Sequence, residues 1–278
     1  MPDNTAAGTY GHPTEHGRGY VVGRVICLGT GAALNAERAQ TSVAVQISDG
    51  ETLLFDASSG TIVLERLRGA SIPLQRIRHL FVSHRHFDHV GGLAPLLVAM
   101  VSLPEARLTV YALPKTLGAL RNLLALTIPG VEDWLGERLA WQKLAPGGPI
   151  PAGEAEVTPF LVDHTVECAG FHITQGGTRL VFAADTRPCP EVVACARRAD
   201  LLIHEAHGPL AEAEAAHALG HSTAAEAGEV ARSAGVDRLV LTHFREGRFA
   251  DPERLAAEAE SAFGGPVEAA RDLASFEF

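Results

Sequence analysis

The chain has 278 residues, of which 46% are hydrophobic, so it can bury a full core without disulfide or metal staples. Its formal net charge is −10, which disfavours nucleic-acid binding because nucleic-acid binders usually carry a basic stripe. No uncharged apolar run reaches the roughly 18 residues of a membrane-spanning helix, so no membrane association is expected.

Residues 1–19 are polar and lack the apolar stretch of a signal peptide, so we interpret them as a flexible tail. Residues 20–278 are then expected to form a single domain. The four cysteines form no Cys-x-x-Cys pair, which argues against a zinc knuckle. Reduced thiols and a cytoplasmic location are the simplest interpretation.

The chain begins its regular structure with a predicted strand at 21–28, followed by a Gly-Thr-Gly sequence at 29–31. No third glycine follows in register, so this is interpreted as a tight turn rather than a dinucleotide-binding loop. Strands at 41–47 and Thr52–Phe55 are predicted to form a hairpin around Ser48-Asp49-Gly50. Asp56 precedes a predicted helix at 61–67 and is either a helix cap or a hydrogen-bond partner of a metal-bound histidine; both interpretations remain open.

A dense group of potential metal ligands follows the buried strand predicted at Ile77–Val82. The motif is Ser83-His84-Arg85-His86-Phe87-Asp88-His89, and a glycine pair separates it from an apolar helix predicted at Leu93–Val101. His84 and His86 can reach one point, and Asp88 and His89 can reach a second point nearby. Neutral imidazoles and a carboxylate suit Zn²⁺ and its first-row neighbours.

The middle of the chain is less regular. A strand at Leu108–Ala112 and a helix at 114–126 are followed by 127–153, which contains both tryptophans and a Pro/Gly-rich run. We interpret 127–153 either as a pocket wall or lid, or as an ordinary amphipathic helix with a loop.

The second half of the chain supplies further polar residues, each directly after a predicted strand. A strand at 157–162 leads to His164, a hairpin of 170–174 and 179–182 leads to Asp185, and Leu239–Thr242 leads to His243. A set distributed in this way is expected where a site assembles on one sheet edge. The remaining elements are a strand at 201–203 ahead of His204-Glu205-Ala206, a helix Ala224–Ala234 capped by Ser222 or Thr223, a helix Pro252–Phe263 capped by Asp251, and a strand at 274–278.

The motif His84-x-His86-x-Asp88-His89 resembles the signature of the metallo-β-lactamase superfamily. This resemblance implies an α/β fold, a four-layer αββα sandwich of two mixed sheets flanked by helices, with a dinuclear metal site on the shared edge. The segments His204-Glu205-Ala206 and His221-Ser222-Thr223 are similar to those of the ribonuclease Z branch.

Two departures from that branch concern the substrate. Ribonuclease Z enzymes usually carry a basic arm that clamps tRNA, in many of them between the third histidine and the bridging aspartate, but here one short hairpin joins His164 to Asp185. Their Pro-x-Lys-x-Arg-Asn loop should fall at 34–39, where only Arg38 matches. We therefore expect a small-molecule ester substrate rather than nucleic acid.

The resemblance also implies roles for these residues. His84, His86 and His164 would hold one divalent ion, Asp88, His89 and His243 a second, and Asp185 would bridge the two. Zn²⁺ is expected, with Mn²⁺ or Fe²⁺ as alternatives, and a hydroxide between the ions would be the nucleophile. Asp88 would orient that hydroxide, His221 would protonate the leaving oxygen, and Glu205 would orient His221.

The expected activity is a dinuclear metal-dependent phosphodiesterase. A lactonase, thioesterase or arylsulfatase-like hydrolase of the same fold is the alternative, ahead of a tRNA 3′-endonuclease or a non-catalytic metal-binding protein. A homodimer is expected from the resemblance and from apolar residues at 93–101 and 117–126. The remaining histidines are interpreted as ordinary surface or core residues, with His207 the one expected nearest the pocket: His79, His172, His207 and His217.

Overall fold

The structure is a computed structural model that describes residues 23–47, 50–247 and 251–278. The predicted tail at 1–19, the start of the first predicted strand at 21–22 and the turn residues Ser48 and Asp49 lie outside this part. Within it, two seven-stranded sheets face each other, and helices cover their outer faces. The predicted four-layer sandwich of two mixed sheets is confirmed.

The first sheet has an antiparallel half and a parallel half. Its strand order is β14-β1-β2-β3-β4-β5-β6, antiparallel as far as β3 and parallel from β3 to β6. The carboxyl end of β4 therefore lies beside that of β3, away from the two outermost strands of the sheet. The strands are β1 (Arg24–Gly29), β2 (Ser42–Gln46), β3 (Thr52–Phe55), β4 (Ile77–Val82), β5 (Leu108–Ala112), β6 (Leu139–Lys143) and β14 (Ala274–Glu277).

The second sheet repeats this plan. Its order is β13-β12-β11-β10-β9-β8-β7, parallel from β10 to β13 and antiparallel from β7 to β10. Strand β11 is buried along its whole length, as is typical of a parallel strand covered on both faces. The strands are β7 (Ile150–Ala152), β8 (Ala155–Val162), β9 (Cys168–Gln175), β10 (Thr178–Phe182), β11 (Leu201–Glu205), β12 (Leu239–Thr242) and β13 (Val267–Ala269).

An aromatic cluster joins the two sheets in the centre of the sandwich. Phe55 and Phe81 from the first sheet stack with ring centroids 5.2 Å apart, and Phe171 of the second sheet lies 5.2 Å from Phe55. Aromatic pairs at such distances contribute beyond the area they bury, so this cluster fixes how the sheets face each other.

The helices bury one face each against the sheets. The first five pack around Leu54, Leu80 and Val110 on the outside of the first sheet, and α6, α8 and α9 pack around Val181 and Leu241 on the second. The helices are α1 (Ile62–Gly69), α2 (Phe87–Val90), α3 (Leu93–Val101), α4 (Pro114–Thr127), α5 (Val131–Leu135), α6 (Pro190–Cys195), α7 (Ala213–Leu219), α8 (Ala224–Ala234) and α9 (Pro252–Phe263). None of the helices in the described part of the chain is long and apolar enough to cross a membrane.

Helix termini follow the predicted capping chemistry. Thr223, not Ser222, caps α8, and it forms a capping box with Glu226. Asp251 accepts a hydrogen bond from the backbone of Glu253 at the start of α9, and Gly264 ends that helix in the left-handed conformation.

The segment 127–153 is largely regular structure. It contains α5 and the edge strands β6 and β7, which complete the two sheets. Strand β6 resembles a loop in its sequence pattern. Its side chains are half-buried or exposed, and buried and exposed positions do not alternate. The interpretation as amphipathic helix plus loop missed these strands, and none of the segment lines the cavity beside the site described below.

The surfaces that supported a homodimer are smaller than expected. Most leucines of α3 and α4 face the core, and only Val98, Leu123 and Leu126 of these helices are among the exposed large apolar side chains. The homodimer remains a prediction.

We expect a glycine in α8 to be essential for packing. A Cβ atom at Gly228 would lie 2.3 Å from the carbonyl oxygen of Ala259 in α9, so Gly228→Ala should destabilise the fold by roughly 1–3 kcal/mol. Gly118 in α4 has open space around its Cβ position, and Gly118→Ala should instead stabilise by about 0.5–1 kcal/mol through helix propensity. Denaturant unfolding of both variants measures this, and effects of equal sign would contradict the packing argument.

Candidate metal centre and active site

The sequence-predicted ligands meet where the carboxyl ends of strands from both sheets come together. Nε2 of His84 and Nε2 of His164 lie 3.0 Å and 3.2 Å from Nδ1 of His86. Asp88, His89 and His243 form a second group, and Asp185 lies beside both. The structure thus brings together all seven residues predicted from the sequence, and their role as ligands remains a prediction.

Hydrogen bonds fix the tautomer of the ligand histidines on the first sheet. Ser83 Oγ donates to Asp56 at 2.7 Å, so its contact of 3.0 Å with Nδ1 of His84 requires that nitrogen to carry the proton. Nδ1 of His89 donates to the same Oδ2 oxygen of Asp56 at 2.7 Å. In both rings Nε2 therefore points into the site.

The histidines on the second sheet are oriented in the same way. Nδ1 of His164 donates to the carbonyl oxygen of Gly220 at 2.8 Å. Nδ1 of His243 contacts Thr41 Oγ1 at 2.7 Å, and that hydroxyl donates to Gly31. In four imidazoles Nδ1 thus carries a proton and Nε2 faces one volume, which is the arrangement that metal-bound histidines adopt.

Asp185 lies at the centre of the cluster. Its Oδ2 atom is 3.2 Å from Nε2 of His89, 3.3 Å from that of His243 and 3.7 Å from that of His84. Burial raises the pKa of this carboxyl, but the surrounding histidines outweigh burial and hold the pKa well below its usual value. Asp185 is therefore ionised at neutral pH.

The donor set fits divalent cations. Nε2 of His89 is buried without a hydrogen-bond partner and faces carboxylate oxygens of Asp88 and Asp185. Burial lowers the pKa of His89, yet three carboxylates raise it well above its usual value, which shows that this position attracts positive charge. Nε2 of His89 can therefore face these two carboxylates only with a proton or a metal cation between them, and a divalent cation meets that requirement.

The predicted acid and its partner lie at the rim of the cluster. Nδ1 of His221 is 2.9 Å from Oε1 of Glu205, which also accepts a bond from the backbone of Thr186. Burial raises the pKa of Glu205 to about 7. Burial lowers the pKa of His221, but the Glu205 carboxylate more than reverses this and raises it to about 9. Between these values the pair is a carboxylate and an imidazolium.

Backbone strain marks the same strand ends. Asp56, Ala184 and His243 have positive φ values of 57°, 55° and 58°, although none is glycine. Such residues cost roughly 1–3 kcal/mol each and persist where the surrounding structure determines them. Asp56 and His243 directly follow β3 and β12, Ala184 lies two residues after the end of β10, and all three turn the chain into the site.

The structure answers the open question on Asp56 and shows how two further residues, His207 and Gly220, contact the site. Asp56 is not a helix cap, because Thr61 precedes α1; it is the hydrogen-bond partner of His89. His207 stacks on His221 with ring centroids 4.2 Å apart, and its position two residues after Glu205 was the only available signal. Gly220 is required because a Cβ there would lie 2.7 Å from Nδ1 of His164.

The sequence also matches a known protein family. Residues 51–244 match the family model described as Beta-lactamase superfamily domain. The chain belongs to the metallo-β-lactamase superfamily. With its histidine and aspartate clusters, it is a metal-dependent hydrolase of that superfamily.

Relatives within the superfamily confirm the predicted ribonuclease Z-like branch. The chain is 31% identical to Ribonuclease Z of Thermobifida fusca (strain YX), covering 90% of this chain and 92% of that protein. It is 28% identical to Ribonuclease BN of Cronobacter sakazakii, covering 85% and 94%. The crystal structure of the metallo-β-lactamase fold protein YhfI from Bacillus subtilis has a TM-score of 0.80 at 27% identity, covering 92% and 100%. The expectation that excluded nucleic acid finds no support in these relatives.

We expect two metal ions per chain, and Asp56 to support the binding of both. Asp56 accepts from Nδ1 of His89 and from Ser83, whose hydroxyl fixes the tautomer of His84, so Asp56→Ala should lower the affinity for each ion by about 10- to 100-fold. Metal titration followed by elemental analysis measures both numbers. A wild-type protein that binds at most one ion per chain after zinc or manganese supplementation contradicts the dinuclear arrangement.

Proposed function

We propose that this hydrolase cleaves phosphodiesters, with His221 as the acid that protonates the leaving oxygen. The His221–Glu205 pair at the rim of the ligand cluster carries this proposal, because it holds an imidazolium at neutral pH. An alkoxide is a poor leaving group and needs a proton, whereas a thiolate needs it less. This favours the diester over the thioesterase alternative.

The ligand assignment follows the two groups described above. His84, His86 and His164 would hold one ion, and Asp88, His89 and His243 the other, with Asp185 between them. We expect Zn²⁺, with Mn²⁺ or Fe²⁺ as alternatives, because imidazole and carboxylate donors suit all three. When bound, such ions supply Lewis-acid activation of the ester and a nucleophile at neutral pH.

Asp88 and His221 would divide the proton transfers. Asp88 is buried, and burial raises its pKa. The neighbouring His89 lowers the pKa by more than burial raises it, so the net pKa is below its usual value and the side chain is an ionised acceptor. It would orient the attacking water and take its proton. His221 would donate from the opposite side, and Glu205 would orient the imidazole through Nδ1, which leaves Nε2 as the donor.

We further propose that the substrate is a small ester. The β9–β10 hairpin between His164 and Asp185 turns at Gly176 and Gly177 and has no arm. Arg38, the one match to the branch's Pro-x-Lys-x-Arg-Asn loop, is engaged by Thr30 Oγ1 and the Ala270 carbonyl, each at 2.8 Å. The alignment with the Thermobifida protein spans 300 positions, more than the 278 residues of this chain, so that relative contains segments without a counterpart here.

A direct comparison of substrates tests this proposal. The metal-replete protein should hydrolyse a chromogenic small diester and leave a precursor tRNA uncut under the same conditions. The names of the relatives indicate an RNA substrate, so the assay decides between a small diester and RNA. Efficient cleavage of the precursor near its 3′ end, weakening steeply with added salt, would show that the substrate is nucleic acid.

His221→Ala should lower phosphodiesterase activity by about 10²- to 10⁴-fold while both metal ions stay bound, the usual range for loss of a general acid. The loss should be smaller for a diester of nitrophenol, which leaves without a proton, than for an alkyl diester. Steady-state rates on the two substrates measure this. An equal loss on both would argue that His221 does not deliver the proton.

Glu205→Gln should shift the basic limb of the pH profile to lower pH. The Glu205 carboxylate raises the pKa of His221 to about 9, so wild-type activity should fall as pH rises through about 9 and the imidazolium is lost. Without that charge the imidazolium is lost at lower pH, and the variant should recover activity on acidification. A variant that loses activity equally at every pH would indicate a purely structural role for Glu205.

A further inference from the structure

A cavity of about 630 Å³ opens beside the candidate acid. Its inner wall includes His86, His207 and His221, so it is continuous with the site. This volume suits a drug-sized organic group.

The apolar part of the cavity lining comes from two separate parts of the chain. Ala32, Ala33 and Leu34 follow β1, and Ala218 and Leu219 end α7. Leu34 is 87% exposed and Leu219 is 57% exposed. Single exposed leucines are ordinary, but two on walls of one cavity next to a catalytic acid form a surface that a ligand can cover.

The polar groups of this cavity do not favour a second anionic group. Arg245 is paired with Glu212 and donates to the carbonyl oxygen of His207 at 2.7 Å. Glu246 adds a carboxylate to the lining. The Asn35 side chain forms hydrogen bonds with backbone groups. Its amide nitrogen donates to the carbonyl oxygens of Phe244 and Arg245, and its oxygen accepts from the backbone N–H groups of Glu37 and Arg38.

We propose that this cavity binds the leaving alcohol of the substrate as an apolar aryl or branched alkyl group, and that Leu34 and Leu219 determine this specificity. The inference rests on the proposed function, because the leaving oxygen is placed by the role of His221. An alcohol whose oxygen lies at His221 would extend its apolar group into the space between the two leucines. The substrate class is then a diester with an apolar leaving group.

Two diesters distinguish the effect of leaving-group size from the effect of leaving-group acidity. Methyl phenyl phosphate and methyl 2-naphthyl phosphate keep the same retained group and release phenols of similar acidity, but the naphthyl group offers more apolar surface. The wild-type protein should prefer the naphthyl diester in kcat/KM. Leu34→Asn and Leu219→Asn should each lower kcat/KM for it by roughly 3- to 10-fold, mainly through KM, and affect the phenyl diester less.

Leu126→Asn is the matched control. Leu126 is 84% exposed in α4 and does not line the cavity, so this variant carries the same chemical change at a distant site. It should leave both kcat/KM values unchanged. Because the three leucines are all exposed, the variants should fold, and circular dichroism verifies this.

A binding measurement separates this inference from the proposed function. Calorimetric titration compares the methyl esters of methylphosphonic and 2-naphthylphosphonic acid, whose P–C bond replaces the scissile ester bond. Tighter binding of the naphthyl probe that is lost in Leu34→Asn supports the cavity assignment even if no diester is cleaved. If diesters are cleaved but neither turnover nor binding depends on aryl size or on the two leucines, the inference is overturned and the phosphodiesterase proposal stands.

Discussion

The site depends on one buried carboxylate. Asp185 is only 2% exposed, and its Oδ2 atom faces three imidazole nitrogens that come from both sheets. A charge removed from water in this way must be compensated by nearby positive charge. His89, whose pKa is raised by the surrounding carboxylates, attracts such a charge, and the other imidazoles come from separate strands, so the two sheets must meet correctly for the site to be stable.

Backbone hydrogen bonds also connect the two sheets at this edge. Gly31, after β1, bridges to Phe244, and Phe244 exchanges backbone hydrogen bonds with Thr30 and Ala32. His243 lies immediately before Phe244 in a left-handed conformation, so its backbone strain is held by bonds on its carboxyl side. The strain and the bonds that resist it are thus adjacent, which keeps the ring of His243 aimed at Asp185.

The sequence indicated this cluster because its members lie in the segments that follow strands, and strand ends of parallel neighbours share an edge; the role of these residues as metal ligands remains a prediction. It could not predict the groups that orient those ligands. Thr41 contacts His243 across 202 positions of the chain, and Gly220 binds His164 across 56, so only the assembled topology brings them together. Neither residue has a side-chain type that signals a metal site.

Short or irregular elements were missed for a different reason. Helices α6 and α7 have 6 and 7 residues, too few for a helical pattern of apolar positions to emerge. Edge strand β6 pairs with β5 on one side only and buries too little to show alternation. Long or fully buried elements, such as β4 and α8, were predicted with their observed bounds.

The distribution of charge around the site bears on its substrate. Two arginines that precede the 83–89 motif in sequence are paired, Arg66 with Asp272 and Arg78 with Glu51. Arg85 and Lys115 instead line a second cavity beside His164, together with Glu167, while the cavity beside His221 includes the apolar side chains of Leu34 and Leu219. A nucleic-acid strand that crosses a site needs cations along its path on both sides, since phosphate contacts supply much of its affinity. A basic side and an apolar side fit a diester whose two alcohols differ in polarity, with the apolar alcohol leaving toward His221.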